Sequence, residues 1–246
     1  MKSIILAAGY ATRLYPLTQN FPKPLLKVCG KSILDRLIAD IDVFPEINEH
    51  IIISNHKFIS HFEQWKKQSS YKKKITILDD LSTENENRLG AVKDIAFALE
   101  TLQVNESVLV LAGDNVLDFS LRSFVEYQQK KQSACIMRHF ENDKEKLQRT
   151  GVAVIDENEK VIKMQEKPQN PQSSWAVPPF YIYTKEDLPF IKNAVKENKC
   201  KTDAPGEFIS WFCSVRSVYA WKMTGTRHDI GNLKSYEEAS EIFRGK

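Results

Sequence analysis

Short apolar runs rich in β-branched residues recur at 4–8, 51–54, 75–78 and 108–112, and each gives way to polar or glycine-containing sequence. Runs without an exposed face predict buried parallel strands. Between them, apolar residues return at helical spacing over 32–43, 57–67 and 90–102. Ser32, followed three residues later by Asp35, predicts a capping box at the first of these helices. Strand alternating with helix predicts an α/β fold with a Rossmann-like, doubly wound sheet, whose ligand crevice lies beyond the carboxyl ends of the strands.

A helix is expected over 120–131, after which the pattern changes. Strands are expected at 134–139, 151–155, 161–165, 177–183 and 217–223, with helices near 185–196 and 232–243. The sheet is therefore mixed, and a substrate-binding lobe is expected to be built onto it. No internal repeat or low-complexity linker interrupts the sequence, which predicts one domain over 1–246 with halves at 1–131 and 132–246. Residues 141–150 are charged and read as an exposed boundary.

Composition removes several classes of function. With 42% hydrophobic residues and no apolar run of bilayer length, the 246 residues read as one soluble unit away from membranes. A net charge of +3, spread over both signs, does not describe a nucleic-acid binder. Cys29, Cys135, Cys200 and Cys213 form no metal-ligand spacing and read as reduced thiols of a cytoplasmic protein.

Two familiar phosphate motifs fail. Gly30-Lys31-Ser32 imitates the end of a Walker A loop, but Leu25 stands where its first glycine belongs. No G-x-G-x-x-G succeeds a strand, which argues against a dinucleotide-dependent oxidoreductase. The first strand leads instead into Ala7-Ala8-Gly9-Tyr10-Ala11-Thr12-Arg13. Its small residues let backbone amides approach phosphates, and its arginine offers a planar fork. Lys23, between Pro22 and Pro24, sits on backbone of restricted angles that would pre-position its ammonium group.

The run Leu6 to Thr18, with Pro22-Lys23-Pro24-Leu25-Leu26 after it, resembles the signature of the sugar-1-phosphate nucleotidyltransferases. The likeness continues through Gly113-Asp114-Asn115, Glu166-Lys167-Pro168 and His228-Asp229-Ile230-Gly231, in the family's order. It implies the nucleotide-diphospho-sugar transferase fold, with nucleotide bound by the first half and acceptor by the second. It also implies the reaction of a nucleoside triphosphate with a sugar 1-phosphate, releasing pyrophosphate. No general base is then needed, because the attacking phosphate is already ionised. No appended β-helix acyltransferase is expected, since 15 residues follow Gly231.

The resemblance assigns roles residue by residue. Arg13, Lys23 and Lys167 are its catalytic cations, and Leu6, Ala8, Gly9, Tyr10, Ala11, Thr12, Asn85, Gly90 and Asp114 contact the nucleotide. Asn115, Gly151, Glu166, Lys167, Pro179 and Tyr181 contact the acceptor, while Asp114 and Asp229 hold Mg²⁺, whose hard oxygen preference suits them. Read without the resemblance, Asp114 and Asp229 are equally turn-forming residues, and Glu166-Lys167 a solvated charge pair.

The sequence departs from the family's pattern at three places. Ala11 replaces a second glycine, which a negative φ would accommodate. Arg227 stands where a tryptophan is usual. Pro178-Pro179 replaces a threonine-glycine pair and removes backbone donors from the acceptor pocket. The aromatic residues Trp175, Phe180, Tyr181, Trp211 and Phe212 either line that pocket or fill the core. The expected substrates are dTTP or UTP with a hexose 1-phosphate, for glycan assembly. A cytidylyltransferase acting on a non-sugar phosphomonoester such as choline phosphate and an inactive nucleotide-sugar sensor stay open as alternatives, as does a homo-oligomer.

Overall fold

The computed structural model describes residues 1–244; residues 245 and 246, the end of the expected second half, lie outside the described residues. Along the chain run β1 (Lys2–Leu6), β2 (Lys27–Val28), β3 (Lys31–Ser32), α1 (Ile33–Ile41), β4 (Glu49–Ser54), α2 (Ile59–Gln68) and β5 (Lys74–Asp79). Then come α3 (Ala91–Thr101), β6 (Val108–Ala112), β7 (Asn115–Leu117), α4 (Arg122–Lys131), β8 (Ala134–Phe140), α5 (Lys144–Leu147), β9 (Gly151–Ile155) and β10 (Val161–Glu166). The remainder is β11 (Trp175–Val177), β12 (Phe180–Tyr183), α6 (Leu188–Lys196), α7 (Pro205–Phe212), β13 (Val218–Lys222), β14 (Arg227–Asp229) and α8 (Leu233–Ile242). Two compact units divide the chain. The first holds Met1–Arg88, Ala112–Arg122 and the chain from Thr224 onward; the second holds Leu89–Leu111 and Ser123–Met223.

In the first unit, β4 lies between β1 and β5 and pairs in parallel with both, Ile51 opposite Ile4 and Thr76. All six residues of β4 are buried; Ile51, Ile52 and Ile53 form its apolar centre, while the polar Glu49 and His50 are buried with partners in Lys74 and Asp42. Each buried isoleucine there contributes about 1.5–3 kcal/mol. Helix α1 presents Ile33, Leu34, Leu37, Ile38 and Ile41 to the core and starts where the Ser32 hydroxyl accepts the Asp35 amide at 3.0 Å. Gly30-Lys31-Ser32 is therefore a hairpin followed by a cap. Cys29 and Gly30, at φ 48° and 80°, make the two-residue turn between β2 and β3.

Leu14, Leu26, Val28, Ile33, Val116, Ile230, Ala239 and Phe243 form one buried cluster. Three signature segments thus rest on a common apolar floor: the first loop, the strand after Asp114 and the turn after Asp229. Strands β7 and β14 pair antiparallel with Asp229 opposite Asn115.

The second unit is a mixed sheet. β9 pairs with β10 and β11, β8 with β11 and β12, and β12 with β6, all antiparallel, while β13 runs parallel to β8. The strand expected at 177–183 is a correction: it is two strands, because Pro178 and Pro179 cannot donate to a ladder and the chain turns there. The stretch 141–150 contains α5, whose Leu147 joins Val152 and Ala176 in a small core, so this boundary is partly tied down. Phe180, Tyr181 and Phe212 are core residues, at 0–2% exposure. Among the described residues no helix is long and apolar enough to cross a membrane.

Candidate active site

The first loop takes its shape from three anchors. Ala8 carbonyl accepts from the buried Asn55 amide at 2.9 Å, the Tyr10 hydroxyl donates to Ser82 carbonyl at 2.9 Å, and the Thr18 hydroxyl donates to Ala11 carbonyl at 2.8 Å. Tyr10 consequently sits in the core and Leu14 beneath the loop, while Gly9, Thr12 and Arg13 face outward. Ala11 departs from expectation: its φ is +48° and its ψ +42°, in the left-handed region. The loop demands this turn whether or not glycine supplies it, at a cost of about 1–2 kcal/mol for a residue with a side chain.

Lys23 lies in the 3₁₀ turn Lys23–Leu25 and is buried, with Nζ 2.8 Å from Asp114 Oδ2. Asp114 follows β6, and its other carboxylate oxygen accepts from Asn115 Nδ2 at 2.7 Å. The β7–β14 register places Asp229 opposite Asn115. Arg227, two positions earlier on β14, donates from Nη1 to Asn115 Oδ1 at 2.6 Å and lies 3.7 Å from Asp229 Oδ2. Arg13, Lys23, Asp114, Asn115, Arg227 and Asp229 thus belong to a single electrostatic neighbourhood.

The two carboxylates differ in charge balance. Partial removal from water would raise both, but at Asp114 the adjoining Lys23 and Arg227 outweigh it and the carboxyl lies below its usual range. Asp229 is raised, by burial first and then by the negative charge of Asp114, which Arg227, Lys23 and Arg13 only partly offset. Among the described residues no cluster of three or more His, Cys, Asp or Glu forms a metal cage. A pair of hard oxygen donors whose mutual repulsion the neighbouring cations only partly offset nevertheless fits Mg²⁺, which keeps waters and phosphate oxygens among its ligands.

Asn85 is half-buried in the turn Asn85–Asn87, where Arg88 Nη1 donates to its carbonyl at 3.0 Å and to Oδ1 at 3.1 Å. Gly90, in the second unit, has φ +91°, and a Cβ there would fall 2.6 Å from Thr202 carbonyl oxygen. The Ala91 and Val92 amides donate to Asp203 and Thr202 carbonyls, so the start of α3 is capped by backbone. Only glycine permits that approach.

Of the residues expected to contact the acceptor, Asn115 lies in the first unit, and Gly151, Glu166, Lys167, Pro179 and Tyr181 lie in the second. Glu166 ends β10 opposite Gly151 at the start of β9, and Val177, before the two prolines, also pairs with Gly151. A Cβ on Gly206, in the first turn of α7, would fall 2.0 Å from Glu166 Oε2; one on Gly151 would fall 3.3 Å away. Burial, with help from Glu207 and Asp203 and against Lys167, pushes the Glu166 carboxyl up to about 7. Lys167 is exposed and adopts φ +47°, with its amide on Thr150 carbonyl. Pro179 is half-buried beside this corner, whereas the Tyr181 ring stacks on Tyr183 at 6.2 Å within the core. Gly206 and Arg227 are the site residues that sequence reasoning underrates. Pro205-Gly206 at the start of α7 is the sequence signal for the first, and the charge beside Asp229 for the second.

Cations gathered around paired carboxylates at the ends of strands in an α/β fold are an arrangement suited to phosphate chemistry. The chain belongs to the nucleotidyl transferase family, whose model matches residues 2–244. It is 29% identical to a glucose-1-phosphate adenylyltransferase of Fervidobacterium nodosum, over 98% of this chain and 61% of that protein. It is 26% identical to the UTP–glucose-1-phosphate uridylyltransferase AglF of Haloferax volcanii, over 98% of this chain and 96% of that one. The chain spans between about half and three-fifths of the length of several curated relatives. A solved structure of UDP-glucose pyrophosphorylase with UDP-glucose shares its fold, with a TM-score of 0.81 at 20% identity, covering 99% of this chain and 98% of that one.

Proposed function

We propose that the chain transfers a nucleoside monophosphate from a nucleoside triphosphate to a sugar 1-phosphate, releasing pyrophosphate. The observation that carries the reading is the corner where Lys23 meets Asp114 at 2.8 Å while Asp229 and Arg227 face Asn115. Uridylyl and adenylyl transfer to glucose 1-phosphate in the named relatives supports the acceptor class. The proposed substrates are dTTP or UTP with a hexose 1-phosphate, and the proposed setting is cytoplasmic glycan precursor synthesis by 1–246 acting as one catalytic domain.

In this reading the outward amides of the first loop and Arg13 bind the triphosphate, and Lys23 spreads charge as pyrophosphate departs. Asp114 and Asp229 would hold Mg²⁺, which when bound neutralises phosphate oxygens. Lys167 orients the acceptor phosphate and Glu166 accepts hydrogen bonds from sugar hydroxyls beside Gly151. Asn85 and the Gly90 turn are assigned to the base. The acceptor phosphate oxygen attacks the α-phosphorus in line, forming one P–O bond as the bond to pyrophosphate breaks.

Pyrophosphate release, measured with Mg²⁺ while crossing the common triphosphates with sugar 1-phosphates and choline phosphate, tests this. A productive sugar pair is expected. Turnover only with choline phosphate would replace the acceptor, and triphosphate binding without any turnover would favour a sensor.

A further inference from the structure

Strand geometry forces a choice at position 227. Residues i and i+2 of a strand share a face, so Arg227 stands on the side of β14 that carries Asp229, while His228 turns the other way onto Phe243, with ring centroids 5.4 Å apart. The Arg227 side chain is 15% exposed and Asp229 53%. The guanidinium therefore lies deeper than the carboxylate beside it. A charge at that depth persists only when it is paired and hydrogen-bonded, and Arg227 has both conditions met through Asp229 and Asn115.

Asn115 relays the contact: its oxygen accepts from Arg227 and its amide donates to Asp114 Oδ1. Lys23 holds the opposite oxygen of Asp114 from a buried position. Two carboxylates thus already face Lys23 and Arg227 as resident partners, with Arg13 also acting on Asp229. The corner already carries its own cations, and a divalent cation entering alone would meet their repulsion. A cation entering with a triphosphate would not, because the phosphate charge accompanies it.

We propose that Arg227 is the resident counter-cation of the Asp114–Asp229 corner, and that it makes divalent-ion binding depend on the nucleotide. The inference rests on the proposed assignment of Asp114 and Asp229 to the metal. Arg227 acts through charge and through Asn115, as a positioning residue that sets when the metal is admitted.

The test is a Mn²⁺ titration of the full chain, followed by electron paramagnetic resonance, with and without dTTP. Arg227→Gln keeps an amide donor for Asn115 and removes the charge; Arg227→Lys keeps the charge. Arg227→Met serves as a second neutral variant, and thermal melts confirm that each is folded. The free Arg227→Gln chain should bind Mn²⁺ about tenfold more tightly than the parent, with a smaller further gain from dTTP, because a like charge near the ion has been removed. Arg227→Lys should stay within about twofold of the parent, as its charge is retained.

Equal or weaker Mn²⁺ binding by both neutral variants would overturn the proposal, as would a shift in Arg227→Lys matching that in Arg227→Gln. If Asp114→Asn abolishes Mn²⁺ binding while Arg227→Gln leaves it unchanged, the metal site stands and the counter-cation role falls. If no form binds Mn²⁺ even with dTTP, both fall together.

Discussion

Lys23 and Asp114 stand 91 positions apart in the chain, and the ammonium of one meets the carboxylate of the other at 2.8 Å. Their exposures differ: the lysine side chain is 8% accessible and the aspartate 39%. A buried cation therefore backs a carboxylate whose outer side remains open to a ligand. Asp114→Asn preserves shape and an oxygen for Lys23 but removes the charge. Turnover should fall by about 10²-fold or more if the carboxylate serves the transferring phosphates. Stability should fall by about 1–3 kcal/mol, since Lys23 keeps only a neutral partner. Pyrophosphate release and a thermal melt read the two effects; near-normal turnover would remove Asp114 from the metal site.

Ala11 carries a second prediction. Its left-handed backbone, fixed by Thr18 on its carbonyl and by Leu14 packed below, would suit glycine better. Ala11→Gly should stabilise the chain by about 0.5–1 kcal/mol, the relief of left-handed strain being partly offset by glycine's freedom when unfolded. Ala11→Val should cost more than the parent alanine, because a β-branched side chain tolerates that region worst. Urea denaturation distinguishes these outcomes, and an Ala11→Gly chain no more stable than the parent would show that the strain is relieved elsewhere.

The helices and strands of the first unit are legible in the sequence because their apolar patterns are dictated by burial on one or both faces. Ile51, Ile52 and Ile53 announce an interior strand, and Ser32 announces the start of α1. The sign of φ at Ala11 is not legible. It is imposed by Asn55, Tyr10 and Thr18, which converge from distant places on one short loop. Arg227 stands out in the sequence as a misplaced charge, but its bond to Asn115 depends on a β7–β14 register that joins segments 112 residues apart. Pro178-Pro179 signals lost backbone donors at once, whereas the break it makes between two strands emerges only when the ladders on either side are known.

Gly206 tests the acceptor corner without touching its charges. A methyl group there would fall 2.0 Å from Glu166 Oε2 and 2.8 Å from Met164 Cε. Both are ends of flexible side chains, so Gly206→Ala should displace the carboxylate rather than unfold α7. KM for the sugar 1-phosphate should rise about tenfold while triphosphate affinity holds, the loss of one well-placed hydrogen bond to a charged group being worth about that much. Equal loss of triphosphate binding would mean that the substitution acts on the fold. Unchanged KM would mean that Glu166 does not contact the acceptor.

Glu166 also predicts a pH dependence. Burial raises its carboxyl to about 7, well above the range of an exposed glutamate. A carboxyl that holds its proton more tightly when folded contributes stability in full below the unfolded pKa, and that contribution is lost as pH rises through about 7. Replacing it with glutamine should therefore flatten the fall in stability between about pH 5 and 8, relative to the parent chain. Function should move the opposite way. Sugar hydroxyls donate best to the ionised form, so kcat/KM for the acceptor should rise with pH through about 7, and acceptor binding below that pH should release a proton. Glu166→Gln should lower the acceptor kcat/KM and erase this rise. Calorimetry of acceptor binding in buffers of different ionisation enthalpy measures the proton directly. A parent chain that releases none at about pH 6, below the raised carboxyl's midpoint, would place Glu166 outside the acceptor's contacts.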